Sequence, residues 1–83
     1  MLPRNIDLDF FGLVAECAPE GADQVAISSR FKDDLGYDSL AIAGLIVALE
    51  ARYDITLKPQ DLTLVNFDTV ESCLRLLERY TNA

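Results

Sequence analysis

From Ser39 to Tyr53 the chain is apolar on both sides of a helix. Ile42, Leu45, Ile46, Leu49 and Tyr53 recur at the spacing of one helix face. Leu40, Ala43, Gly44, Val47 and Ala51 recur at the same spacing on the opposite face. A helix of this kind is either sunk in a core or offers one side to a partner. In a chain of 83 residues, two-sided burial is hard to arrange, because a domain so small has a thin core. One face is therefore expected to build the core and the other to stay exposed as a docking surface.

Two further segments carry helical periodicity. Between about Ile6 and Ala18, Phe10, Leu13, Val14 and Cys17 share a face; Asn5 or Asp7 stands where a cap belongs, and Pro19 with Gly21 ends the segment. Between about Thr69 and Tyr80, Val70, Cys73, Leu74 and Leu77 face inward. Asp68 as N-cap with Glu71 three residues on resembles a capping box. Lys58-Pro59-Gln60-Asp61 reads as a turn into a short helix with Pro59 near its first position. The connection from Glu20 to Tyr37 is long, and Val25, Ile27, Phe31 and Leu35 are candidate anchors that would tuck it against the helices. Ile55-Thr56-Leu57 is too short and isolated to build a sheet, and no repeat or low-complexity tract is present. The expected fold is all-α: a single domain over residues 1–83, a small four-helix bundle of three main helices and one short one, with a long structured first loop.

Composition narrows the functions open to such a bundle. Apolar residues make up 51% of the chain and charged residues 25%, a globular balance. The net charge of -7, with only seven scattered basic residues, argues against nucleic acid, which needs clustered Lys and Arg. It predicts basic partners instead. Cys17 and Cys73 both lie on apolar stripes and read as buried free thiols rather than a disulfide framework. Met1-Leu2-Pro3-Arg4-Asn5 lacks the apolar core of a signal peptide, and no apolar run reaches the length of a membrane span. A cytoplasmic monomer with no membrane association is expected.

One residue stands out. Ser39 falls at the first position of the apolar helix, behind Asp38 as N-cap, with Tyr37 and Ile42 placed as a hydrophobic staple. Taken alone, serine is a common helix-start residue. As a nucleophile it would need a neighbouring base, and the chain has no histidine and only two lysines, Lys32 and Lys58. Nor is its setting the Gly-x-Ser-x-Gly elbow of a hydrolase. No catalytic residue and no metal site is expected. A phosphate attached to Ser39, in contrast, would meet unpaired N–H groups and the positive end of the helix dipole.

The stretch Asp34-Leu35-Gly36-Tyr37-Asp38-Ser39-Leu40 resembles the attachment motif of the acyl carrier proteins, (Asp)-Leu-Gly-x-Asp-Ser-Leu, and the order of helices and loops follows that family over nearly the whole chain. The resemblance implies that a dedicated phosphopantetheinyl transferase attaches 4′-phosphopantetheine to Ser39, with Asp38 helping that transferase bind its metal and Gly36 supplying a tight backbone at the loop–helix junction. The thiol of the arm would carry intermediates as thioesters, loaded by an acyltransferase or an adenylating enzyme and passed to a ketosynthase or other pathway enzymes. The chain would itself make no bonds; it would present cargo at high effective concentration.

Where the fatty-acid members of the family carry acidic residues on the exposed face of this helix, the present chain has Leu40, Ala43, Gly44 and Val47, with Asp33, Asp34, Asp38, Glu50 and Asp54 at the two ends. An apolar centre with a charged rim is the make-up of a transient interface. Together with the Leu-Gly-Tyr-Asp-Ser-Leu wording, this resembles stand-alone carriers of polyketide or mixed polyketide–peptide, antibiotic-type pathways. A peptidyl or aminoacyl carrier loaded by an adenylating enzyme remains open, as does a helical interaction module whose Ser39 is never modified.

Overall fold

The computed structural model describes residues 6–22 and 24–81. Helix α1 spans Ile6–Cys17, α2 spans Ser39–Tyr53 and α3 spans Val70–Thr81. The expected short helix is one 3-10 turn, Pro59–Asp61, with the proline at its start. Residues 62–68 continue as irregular turns because polar side chains there bond the backbone: Thr63 Oγ1 accepts from Asn66 N, and Asn66 Nδ2 donates to the Asp61 carbonyl. Such local bonds compete with a helical ladder. The architecture is all-α, and the described residues form no strand. Asn5 lies outside the described residues, as does the side chain of Asp7.

The three helices meet on the stripes that their spacing predicts. Phe10 and Val14 from α1, Leu45 and Leu49 from α2, and Val70, Cys73, Leu74 and Leu77 from α3 are buried. Ile42, Leu13, Cys17 and Tyr53 pack partly buried around them. Each fully buried Leu or Phe contributes on the order of 1.5–3 kcal/mol of transfer free energy. That interior is apolar throughout: no polar or charged residue is buried among the described residues.

The first loop is part of the core. Phe31, Leu35 and Tyr37 are buried, and the rings of Phe31 and Tyr37 meet edge to face with centroids 5.0 Å apart. Val25 packs half-buried, but Ile27 is exposed. Its contribution is through the backbone: the carbonyls of Ile27 and Ser29 accept the N–H groups of Glu71 and Val70, at 2.9 Å each. These are first-turn donors of α3, so the loop satisfies groups that a helix end otherwise leaves unpaired. Phe31 N donates to the Asp68 carbonyl, and a lone antiparallel bridge joins Arg30 to Thr69.

This docking also decides how α3 is capped. The cap is Thr69, not Asp68, and its reciprocal partner is Ser72, not Glu71: Ser72 N donates to Thr69 Oγ1 at 3.1 Å, and Thr69 N to Ser72 Oγ at 3.2 Å. With the Asp68 carbonyl taken by the loop, the box shifts one residue along the chain. Glu71 pairs instead with Arg75 on the helix surface.

Candidate functional site

The junction at residues 30–41 is built by backbone bonds and two carboxylates. Asp34 N and Leu35 N both donate to the Arg30 carbonyl, and Asp34 Oδ2 accepts from Arg30 N at 2.8 Å, closing the turn from both ends. Gly36 follows at φ +73°, the left-handed region where an added Cβ is strained. That reversal lets Tyr37 N bond the Phe31 carbonyl at 2.8 Å and points the Tyr37 ring into the core, where its hydroxyl donates to the Val14 carbonyl of α1 at 2.6 Å. Burial pushes the Tyr37 phenol above its ordinary range, with the nearby Cys17 and Cys73 adding to the effect. Tyr37 therefore anchors the motif to α1 as a neutral donor.

Asp38 then caps α2. Its backbone is extended, and Oδ1 accepts from Ala41 N at 2.8 Å. Its own carbonyl takes Ile42 N, the first helical bond. Ile42 packs against the cluster that contains Tyr37, as the staple predicts. Ser39, the first helical residue, is exposed, and the N–H groups of Ser39 and Leu40 have no protein acceptor among the described residues. The serine is thus presented to solvent at a helix start with two donors to spare and no imidazole anywhere in the chain.

The two faces of α2 separate as expected. Leu40 is 81% exposed and Val47 64%, and Ala43, Gly44 and Ala51 are exposed with them. A Cβ built on Gly44 meets nothing within 4 Å, so that position is open. Of the acidic residues at the ends of this face, Asp33, Asp34, Asp38 and Asp54 are exposed and Glu50 is half-buried. Asp34 holds the turn through its carboxylate, and Glu50 Oε2 accepts from Leu57 N at 2.9 Å, fixing the chain as it leaves α2. Asp54 terminates the helix in the left-handed conformation, φ 55°. Asp33 stays largely exposed while paired to Arg30 at 3.3 Å.

Beside Ser39 runs a groove of about 560 Å³, which the spacing of residues did not reveal. Ile42 and Ile46 form one wall, Leu62, Leu64 and Phe67 the other, with Lys32, Asp38 and Ser39 at one part of its lining. The far wall comes from residues 62–67, held by local bonds and by Phe67 against Phe31, ring centroids 6.5 Å apart. A larger depression of about 660 Å³ follows α3 near Arg75 and Arg79, but it contains no residue of the motif. Among the described residues no group of three or more His, Cys, Asp or Glu is placed to hold a metal ion, and no helix is long and apolar enough to cross a membrane.

A small helical bundle that exposes an unactivated serine at the head of its central helix has the build of a carrier, a protein on which enzymes act. The comparisons agree. Residues 9–77 match the phosphopantetheine attachment site family, and the chain belongs to that family. Similar proteins include the acyl carrier protein of Exiguobacterium sibiricum, 31% identical over 94% of this chain and 96% of that one. Those of another Exiguobacterium species and of Clostridium perfringens are 34% and 32% identical, covering 74% and 83% of this chain and 77% and 88% of theirs. In fold, the chain resembles a chain in the crystal structure of the Bradyrhizobium japonicum glycine:[carrier protein] ligase complexed with glycylated carrier protein. The TM-score is 0.78 at 22% identity, over 88% of this chain and 99% of that one. The protein is a carrier rather than an enzyme, and its cofactor is covalently attached 4′-phosphopantetheine. The site suits that group: an exposed hydroxyl, two unpaired N–H donors at the positive end of a helix, and an adjoining groove with apolar walls.

Proposed function

We propose that Ser39 carries the arm and that the chain is a stand-alone carrier in a specialised pathway of polyketide type. The observation that carries the assignment is Ser39 itself, exposed at the first position of α2 on a rigid, capped junction. A phosphopantetheinyl transferase reaches the hydroxyl from solvent and supplies the base and the metal that this chain lacks; Asp38 stands beside the serine to share that metal. When bound, the arm supplies a thiol that holds cargo as a thioester. The chain's own part is positional: Gly36 and Tyr37 set the junction, Asp38 caps it, and the exposed face of Leu40, Ala43, Gly44 and Val47 docks a loading acyltransferase and then a ketosynthase. The apolar make-up of that face supports a small set of dedicated partners over general fatty-acid service.

Intact-mass measurement after coexpression with a broad-specificity phosphopantetheinyl transferase tests the assignment. The native chain is expected to gain the mass of one arm and Ser39→Ala none; equal masses would overturn it. Efficient turnover of the loaded carrier by housekeeping fatty-acid enzymes would remove the specialised role while leaving the carrier intact. A second reading, aminoacyl loading by an adenylating enzyme, draws support from the glycylated state of the Bradyrhizobium carrier that shares this fold. Thioester formation with an amino acid in place of a malonyl-type unit would select it.

A further inference from the structure

We infer that Lys32 is the counter-ion of the arm's phosphate and turns the arm into the groove rather than across the exposed face of α2; this rests on Ser39 being the attachment point. Arg30, Arg52 and Arg75 are each committed to a carboxylate, Asp33, Asp9 and Glu71, at 3.3, 3.0 and 3.1 Å. Lys32 has no ion pair among the described residues, and it is the one cation that lines the groove containing Ser39. The rest of the local charge is negative: Asp33, Asp34 and Asp38 lie within six consecutive residues of the chain. A phosphodiester on Ser39 adds one more negative charge to that acidic corner. The Asp38 side chain offers it no donor, since a carboxylate only accepts and its Oδ1 already takes Ala41 N.

Two features offset the repulsion. The unpaired N–H groups of Ser39 and Leu40 face the phosphate from the helix. Lys32 faces it from the groove, on a flexible stem that suits a point contact with phosphate. The base of that stem is fixed. Phe31 is buried on one side of it, and Asp34 N and Leu35 N close the turn over it onto the Arg30 carbonyl. The Lys32 backbone is therefore held while its side chain stays exposed. Neither Leu40 nor Val47 lines the groove, so attraction to Lys32 draws the start of the arm away from them and along Ile46 and Leu64.

The test is NMR on the full chain, with attachment to Ser39 first confirmed by mass. Contacts between arm protons and the Ile46 and Leu64 methyl groups are measured in the holo wild type, Lys32→Gln and Lys32→Arg. Exposed ion pairs shift populations by roughly two- to fivefold, and a loss of that size is expected in Lys32→Gln, with retention in Lys32→Arg. High salt should reproduce the loss in the wild type. Among the described residues the side chain has no hydrogen-bond or ion-pair partner, so the apo variants are expected to match the wild type in thermal midpoint, which separates this role from a folding effect. Unchanged contacts in Lys32→Gln, with the arm on Ser39, overturn this inference alone. Absence of the arm from Ser39 overturns the carrier assignment and this inference with it.

Discussion

Gly36 shows how much of the site depends on single backbone angles. At φ +73° with no atom within 4 Å of a built Cβ, the cost of Gly36→Ala is conformational and not a clash. A loss of about 1–2 kcal/mol is expected by denaturant titration. Gly44→Ala, in the helical region and equally uncrowded, should gain about 0.5–1 kcal/mol instead. Opposite signs for the two would show that Gly36 is required by the turn; a neutral Gly36→Ala would show that it is not. The motif made Gly36 and Asp38 legible, because glycine at a reversal and aspartate at a helix start each have one dominant physical use. The second duty of Tyr37 was not legible: its hydroxyl reaches Val14, 23 residues away in sequence, and no local pattern encodes such a partner.

Among the elements, α2 has the bounds its periodicity implies, since capping and packing agree there. Its outer face carries a prediction. Val47 is exposed, so Val47→Glu should change stability by no more than about 0.5 kcal/mol and leave arm attachment intact, while slowing acyl transfer to partners. Circular dichroism and mass spectrometry check the first part, and a transfer assay the second; unfolding of the variant would place the face in the core after all. For α3, local spacing pointed to the wrong cap. Asp68–Glu71 and Thr69–Ser72 are both acceptable boxes one residue apart. Only the first loop, whose Phe31 N–H takes the Asp68 carbonyl and whose Ser29 carbonyl takes Val70 N–H, selects the second. Likewise the short helix shrank to a 3-10 turn because Thr63 and Asn66 side chains bond the backbone beyond it.

Across the whole molecule, the neutral interior makes stability sensitive to alkali. Burial pushes the Cys73 thiol up to about 12 and raises the Tyr37 phenol, so both hold their protons in the fold and release them more readily once unfolded. A raised pKa contributes stability in full below the unfolded value, near 9 for the thiol, and loses it as pH climbs toward the folded value. The denaturation midpoint should therefore be level between neutral pH and about pH 9 and then decline steadily. Cys73→Ala should lower the plateau by opening a small cavity and make the decline shallower. A midpoint constant to about pH 11 in the native chain would contradict the burial of these groups.

Periodicity, capping chemistry and the attachment motif were sufficient to establish three helices, the exposed serine and the two-faced central helix, because each depends on residues within a turn or two of one another. The groove beside Ser39, the free cation on its wall, the bond from Leu57 N to Glu50 and the register of the α3 cap all waited for the tertiary structure. These features join α2 to residues 57–67, or the first loop to α2 or to the start of α3. Such contacts are chosen by which backbone N–H and carbonyl groups remain unpaired once the core has closed, and a linear pattern of apolar and polar residues carries no record of that choice.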